Sequence, residues 1–160
     1  MKKKLKSFIF SIGISLSVGI ISALLTRKNM NIYEEVITPP LSPPSFLFPV
    51  VWTVLYILMG ISAAMIHTDN LALKRQKDRT LFTYAASLFV NFLWSILFFN
   101  MRAFLFSFLW LLLLLYLIVS TILQYRKINQ TAAYLQIPYA VWVTFAGYLN
   151  LGIWILNSYK

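Results

Sequence analysis

Long apolar stretches alternate with short polar ones along this chain. Five of the apolar stretches carry no charged residue over about 20 positions or more, which is the length that an α-helix needs to cross the hydrocarbon core of a bilayer. Because lipid offers no partner to unpaired backbone groups, a helix is predicted for each stretch. The predicted spans are Ser7–Thr26, Phe46–Ile66, Thr80–Asn100, Ala103–Tyr125 and Thr131–Leu156.

Composition supports lipid as the surrounding solvent. Of the 160 residues, 60% are hydrophobic and 11% are charged, whereas a soluble domain is about a quarter charged. The later connections between spans are short, so successive helices are expected to pack as antiparallel neighbours. The sequence therefore predicts an all-α integral membrane protein, with residues 1–160 forming a single five-helix transmembrane domain.

The connection between the first two spans, about Arg27–Ser45, is longer and is called the first loop below. It holds four prolines, at positions 39, 40, 43 and 44. Proline fixes its own backbone and pushes the preceding residue towards extended geometry. We therefore expect a semi-rigid, proline-rich lid over one end of the bundle, although a plain connector is the alternative interpretation.

Basic residues predict the orientation of the chain. The net charge is +10, and ten of the fourteen lysines and arginines lie at the N-terminus and in the second and fourth loops, against four on the opposite side. By the positive-inside rule, the N-terminus is expected to be cytoplasmic, with the first loop and the C-terminus outside, in the cell membrane. Basic residues at the ends of apolar runs favour lipid headgroups over nucleic acid as partners.

The first span could instead be a cleaved signal peptide, because Lys2, Lys3, Lys4 and Lys6 precede it. Its apolar stretch is longer than the usual 7–15-residue core, and no clear small-x-small site precedes Arg27. An uncleaved helix is therefore expected.

Titratable chemistry is sparse. The four carboxylates all lie outside the predicted spans, whereas ion-coupled carriers place ionisable groups within the membrane. The chain has no cysteine and a single histidine, His67. We expect no metal site and no resident cofactor, and axial ligation of iron by the usual residues is not predicted.

Aromatic residues instead line three predicted helix faces. They share i, i+3/i+4 spacing, which places side chains on one side of a helix. The faces are Trp52–Tyr56–Met59–Ala63, Ser87–Asn91–Trp94–Phe98 and Pro138–Trp142–Phe145–Leu149, with Ala146 at the edge of the third. Together with the first loop, these faces favour a pocket for a flat aromatic hydrophobic ligand, whereas each face alone is typical of helix packing.

Two further features leave alternatives open. Asn91 and Asn150 are the deepest polar residues of their spans, and each either bonds a neighbouring helix or orients a ligand. Small residues spaced by four on the first span form a seam that suits either internal packing or a dimer contact. The seam consists of Ser11, Ser15, Gly19 and Ala23.

Three ordered motifs occur between about Ile32 and Asn157. They are Tyr33, Pro39, Pro43-Pro44, Val51-Trp52, Leu55-Tyr56 and Met59-Gly60; then Asn91, Trp94, Phe98-Phe99 and Arg102; then Pro138-Tyr139, Trp142, Phe145-Ala146, Leu149-Asn150 and Trp154. In this order and spacing they resemble the translocator protein or tryptophan-rich sensory protein family (TspO/MBR, or peripheral-type benzodiazepine receptor family).

The resemblance implies a five-helix bundle, usually a homodimer, whose pocket under the first loop binds porphyrins such as protoporphyrin IX and aromatic drug-like ligands. A role in tetrapyrrole handling or stress sensing follows from it. It also implies light-dependent degradation of bound porphyrin in some members, for which Trp52 and Trp142 would be the catalytic residues. The ligand-binding residues expected here are Tyr33, Trp52, Tyr56, Asn91, Trp94, Trp142, Phe145, Ala146 and Leu149.

The chain also departs from the family pattern. Ile32 and Leu41 replace lid tryptophans that are common in relatives, and Thr38 replaces a lid lysine, so a cationic contact to porphyrin propionates is not predicted at that position. Leu151 and Ile155 stand where animal relatives carry a sterol-recognition tyrosine and arginine, so that sterol site is not predicted. A passive transporter or channel for a small hydrophobic or amphipathic solute is the alternative function.

Overall fold

The computed structural model describes residues 2–158, which are helical apart from short connections and contain no β-strand. The α-helices are Lys2–Thr26 (α1), Ile32–Glu35 (α2), Leu47–His67 (α3), Lys74–Ser95 (α4), Phe104–Arg126 (α5) and Gln130–Asn157 (α6). Within this part of the chain, five helices are long and apolar enough to cross a membrane. The predicted all-α membrane fold is thus confirmed, and α2 is a short addition inside the first loop.

The helices extend beyond the predicted apolar spans into charged flanks. α1 begins at Lys2 rather than at Ser7, and α4 begins at Lys74 rather than at Thr80. Lysine and arginine are good helix formers, and their long side chains carry charge away from the apolar region. The end of a hydrophobic run is therefore a poor marker for the end of these helices.

The third membrane-spanning segment ends in a wider helical turn. Residues Ile96–Asn100 form a π-helical turn after α4, in which the Met101 N–H donates to the Ile96 carbonyl at 3.1 Å. Asn100 then donates from Nδ2 to the Leu25 carbonyl at 3.2 Å, linking this turn to the end of α1. The turn fixes the aromatic residues Phe98 and Phe99 next to the first loop.

Glycine allows α1 and α3 to pack with their backbones in contact. A Cβ built on Gly60 would lie 2.5 Å from the Ile12 Cα, and one built on Gly19 would lie 2.4 Å from the Tyr56 ring. A Cβ at either position would displace its neighbour, so both positions favour glycine, and Gly60 does so more strongly because its neighbour is backbone. At Gly19, the small-residue seam of the first span therefore serves internal packing.

Hydrogen bonds attach the first loop to α6. Asn157 and Ile37 pair through two of them: Asn157 Nδ2 donates to the Ile37 carbonyl at 2.9 Å, and the Ile37 N–H donates to Asn157 Oδ1 at 3.0 Å. The Tyr148 hydroxyl donates to the Pro40 carbonyl at 2.8 Å. An Arg102–Glu35 ion pair of 2.6 Å adds a contact between the loop and the connection that precedes α5. The loop therefore lies against one end of the bundle.

Candidate aromatic ligand site

Aromatic rings from α3 and α4 meet in the half of the bundle nearer the first loop. The Trp52 ring centroid lies 5.6 Å from that of Tyr56 and 6.3 Å from that of Trp94. Trp94 in turn stacks on Phe98 at 5.5 Å. Aromatic pairs at these separations stabilise one another beyond the burial of their area. Two of the three predicted faces thus converge.

The Asn91 side chain lies next to these rings and has one of its two polar atoms in a hydrogen bond. Its Nδ2 donates to the Tyr56 hydroxyl at 2.9 Å. Its Oδ1 is buried and has no hydrogen-bond partner among residues 2–158. A buried acceptor without a partner costs about 1–3 kcal/mol, so this oxygen is a candidate for contact with a bound donor.

A cavity of about 100 Å³ lies beside Trp52, Tyr56 and Trp94. Its opposite wall comes from α1 and consists of Gly19, Ser22, Ala23 and Thr26. Small-molecule sites have volumes of about 300–1,000 Å³. The cavity is therefore preformed but smaller than a porphyrin requires.

Trp142 and Phe145 form a second aromatic group on α6. Their ring centroids are 5.7 Å apart, and the Trp142 ring meets the edge of Phe48 at 5.9 Å. The buried Trp142 Nε1 donates to no partner among the described residues. Phe48 also lines the cavity beside Trp52, so this one ring connects the two tryptophans.

Tyr33, Ala146 and Leu149 occupy three different surroundings. Tyr33 stacks on Phe48 at 4.9 Å and lines an outer cavity of about 250 Å³ beneath the first loop. Ala146 and Leu149 are buried, with 6% and 1% of their surfaces exposed. The structure thus places Trp52, Tyr56 and Trp94 on one cavity and Tyr33 on a neighbouring one, while Ala146 and Leu149 pack in the core.

Known proteins resemble this chain in sequence. The sequence pattern of the TspO/MBR family matches residues 11–155. The chain belongs to the TspO/MBR family. It is 34% identical to the tryptophan-rich protein TspO of Chlorobaculum tepidum over 158 residues, which are 98% of this chain and 99% of that protein.

Other relatives extend the likeness of this TspO/MBR protein to animals. The chain is 31% identical to the translocator protein of Bos taurus, over 89% of this chain and 85% of that one. It is 30% identical to the tryptophan-rich sensory protein of Cereibacter sphaeroides, over 78% of this chain and 76% of that one. Together with the five helices able to span a bilayer, this membership establishes an integral membrane protein.

The structure distinguishes the two asparagines of this TspO/MBR protein. The Asn150 amide lies within 2.7 Å of the Phe104 carbonyl, 3.0 Å of Ser107 Oγ and 3.3 Å of Trp94 Nε1, oriented to donate to the carbonyl and accept from the hydroxyl and the indole. Asn150 therefore bonds neighbouring helices, whereas Asn91 Oδ1 has no partner within the described part of the chain. No group of three or more metal-ligating side chains occurs between residues 2 and 158.

Sequence reasoning missed Phe48 and the α1 wall. Phe48 precedes Trp52 by four positions, and this spacing alone assigns it to the same helix face. The α1 residues carried a weaker signal, because a seam of small residues indicates a close neighbour without identifying that neighbour. The free Trp142 indole N–H has no signature in the sequence.

Proposed function

We propose that this protein binds flat aromatic hydrophobic ligands, with metal-free porphyrins such as protoporphyrin IX as the favoured class, and acts in tetrapyrrole handling or stress sensing. One observation carries the proposal: aromatic rings converge on a preformed cavity, and two residues that contact its lining each keep a buried polar atom without a partner among residues 2–158. These are Asn91, which bonds Tyr56, and Trp142, which packs on Phe48. Rings supply stacking surfaces, and the two free groups can orient a ligand that carries both acceptors and donors.

A ligand of porphyrin size requires Phe48 to move. The small cavity beside Trp52 and the outer cavity beside Tyr33 share the same three residues, Met30, Phe48 and Phe99. Rotation of the Phe48 ring would join the two cavities and expose the Trp142 indole to the enlarged space. Phe48→Ala is therefore expected to tighten porphyrin binding, because the space is then open before the ligand arrives.

The test is a titration with protoporphyrin IX in detergent, followed by the Soret absorbance so that the readout does not depend on tryptophan emission. The double variant Trp52→Phe/Trp142→Phe should weaken binding at least about tenfold, if each indole contributes roughly 1 kcal/mol of contact energy. Trp110→Phe/Trp154→Phe removes the same number of indoles away from the cavity and should bind like the parent. Equal affinity in all three proteins would refute the site.

Light-dependent consumption of bound porphyrin is a second candidate function, favoured by the adjacent indoles Trp52 and Trp94. The light-excited porphyrin can accept an electron from an adjacent indole, and dissolved oxygen, the net oxidant, can then react with the porphyrin radical that results. We expect illuminated protein to bleach protoporphyrin faster than the Trp52→Phe/Trp94→Phe variant loaded to equal occupancy. Identical bleaching rates would refute this activity and leave ligand binding as the proposed function.

We place the first loop outside the cell membrane and the N-terminus in the cytoplasm, on the asymmetry of basic residues. The chain has no cysteine, so a single introduced thiol reports orientation directly. A membrane-impermeant maleimide should label Ser45→Cys in intact cells and Asn70→Cys only after lysis. The reverse pattern would overturn the orientation.

A further inference from the structure

A groove of about 630 Å³ lies between α1, α3 and α4, at the end of the bundle opposite the first loop. It shares no lining residue with the aromatic cavities. Small side chains leave the space open, and apolar side chains form its walls. Its lining includes Lys3, Lys6, Ser11, Ile14, Tyr84 and Ala85.

The depth of the groove matches one leaflet of a bilayer. Along α1 it extends from Lys3 to Ile14, which at a rise of 1.5 Å per residue is about 16 Å. The hydrocarbon core is about 30 Å thick, so the inner end of the groove lies near the middle of the membrane. There the Ser15 and Tyr84 hydroxyls share a hydrogen bond of 2.7 Å that ties α1 to α4.

The groove is also polarised along its length. Lys3 and Lys6 lie at its mouth, three residues apart on α1, and both are exposed. No carboxylate is among its lining residues. The nearby Asp69 carboxylate instead accepts the N–H groups of Leu71 and Ala72, each at 2.9 Å. The mouth is therefore cationic with no acidic side chain lining it, and the floor is apolar.

We propose that this groove holds an anionic phospholipid from the leaflet on the N-terminal side. Its phosphate would sit between Lys3 and Lys6, and one acyl chain would run past Ser11 and Ala85 towards Ile14. A headgroup charge at the interface and an acyl chain reaching the midplane reproduce both the charge pattern and the depth of the groove. The bound chain would fill the space between α1 and α4 and hold these two helices together.

A second copy of the chain fits this groove less well. A two-fold dimer buries the same patch on both subunits, so a dimer through this groove would bring two cationic mouths into one interface. Like charges brought together at an interface oppose association. An anionic lipid neutralises the same lysines.

The test is native mass spectrometry of the full-length protein equilibrated with phosphatidylglycerol and phosphatidylcholine of identical acyl chains. We expect retained phosphatidylglycerol to exceed phosphatidylcholine. Lys3→Gln/Lys6→Gln should weaken phosphatidylglycerol retention by more than about tenfold, since each basic residue near an anionic lipid contributes roughly fivefold. Lys2→Gln/Lys4→Gln makes the same charge change at positions that do not line the groove, and should weaken it by less than about threefold.

A second variant separates the groove from the surface charge. Ala85 is an exposed residue on the α4 wall of the groove, so Ala85→Phe places a ring across the path of the acyl chain without altering charge. This variant should reduce retention of phosphatidylglycerol while leaving binding of protoporphyrin unchanged. Equal losses from the two lysine pairs would reduce the effect to general surface attraction and overturn the site. Equal retention of both lipids would overturn it too, as would an Ala85→Phe variant that keeps its lipid but changes its oligomeric state.

Discussion

The contact between Gly60 and the α1 backbone predicts a specific loss of stability in Gly60→Ala. The new Cβ would lie 2.5 Å from the Ile12 Cα and 2.9 Å from the Ile12 nitrogen. Ordinary carbon contacts begin near about 3.5 Å, so α1 must move away by roughly 1 Å. Overpacking of this kind costs about 1–3 kcal/mol, and backbone atoms cannot relieve it by changing rotamer.

Gly13→Ala is the matched control for this experiment. A Cβ on Gly13 meets nothing within 4 Å, and both substitutions gain the same helix propensity of about 1 kcal/mol. The difference between the two variants therefore isolates the clash. We expect Gly60→Ala to unfold more easily than Gly13→Ala by about 1–3 kcal/mol, measured by circular dichroism in a reversible denaturing-detergent titration. A difference below about 0.5 kcal/mol would refute the close packing of α1 on α3.

Three further outcomes follow from single contacts. Tyr56→Phe leaves the buried Asn91 Nδ2 without its acceptor and should cost about 1–3 kcal/mol in the same titration; an unchanged midpoint would contradict the hydrogen bond. Asn129 Oδ1 accepts the Ala132 N–H at 3.0 Å and caps α6, so Asn129→Ala should lower stability by about 0.5–2 kcal/mol, whereas Asn129→Asp should not. The N–H groups of Ala72 and Leu71 hold the pKa of Asp69 below its usual value. The Asp69 carboxylate therefore stabilises the turn fully above the unfolded pKa of about 3.9, and this stabilisation is lost as the pH falls through the lower folded pKa. A carbon-detected NMR titration that gave Asp69 its usual pKa would contradict the turn.

The helical framework was accessible from the sequence because lipid demands long apolar helices, and each predicted span lies almost wholly within a helical segment. The faces of Trp52 and Tyr56 on α3, and of Asn91 and Trp94 on α4, followed from helical spacing alone. Helical periodicity assigns residues to one face of a helix, but it does not show which faces of different helices meet. For this reason Trp52 and Trp142 were expected on one pocket, whereas in the structure the Phe48 ring lies between the cavity beside Trp52 and the Trp142 ring.

Other parts of the site depend on long-range contacts that no local pattern encodes. The α1 wall of the cavity exists because Gly19 admits the Tyr56 ring, a contact across 37 positions of the chain. The π-helical turn at Ile96–Asn100 is a shift in backbone hydrogen bonding that several sequences tolerate. The different roles of Asn91 and Asn150 follow from their hydrogen-bond partners, which only the structure shows.

Attachment of the first loop to α6 determines the direction from which the aromatic cavity can be reached. Asn157 and Tyr148 hold the loop against the bundle, whereas Ala23 on the α1 wall is exposed on the outer face of the helices. A hydrophobic compound would therefore dissolve in the bilayer first and enter sideways between helices. Apparent affinities expressed in aqueous concentration would then shift with the amount of lipid in the assay, and a compound's partition coefficient would contribute to its potency alongside its fit.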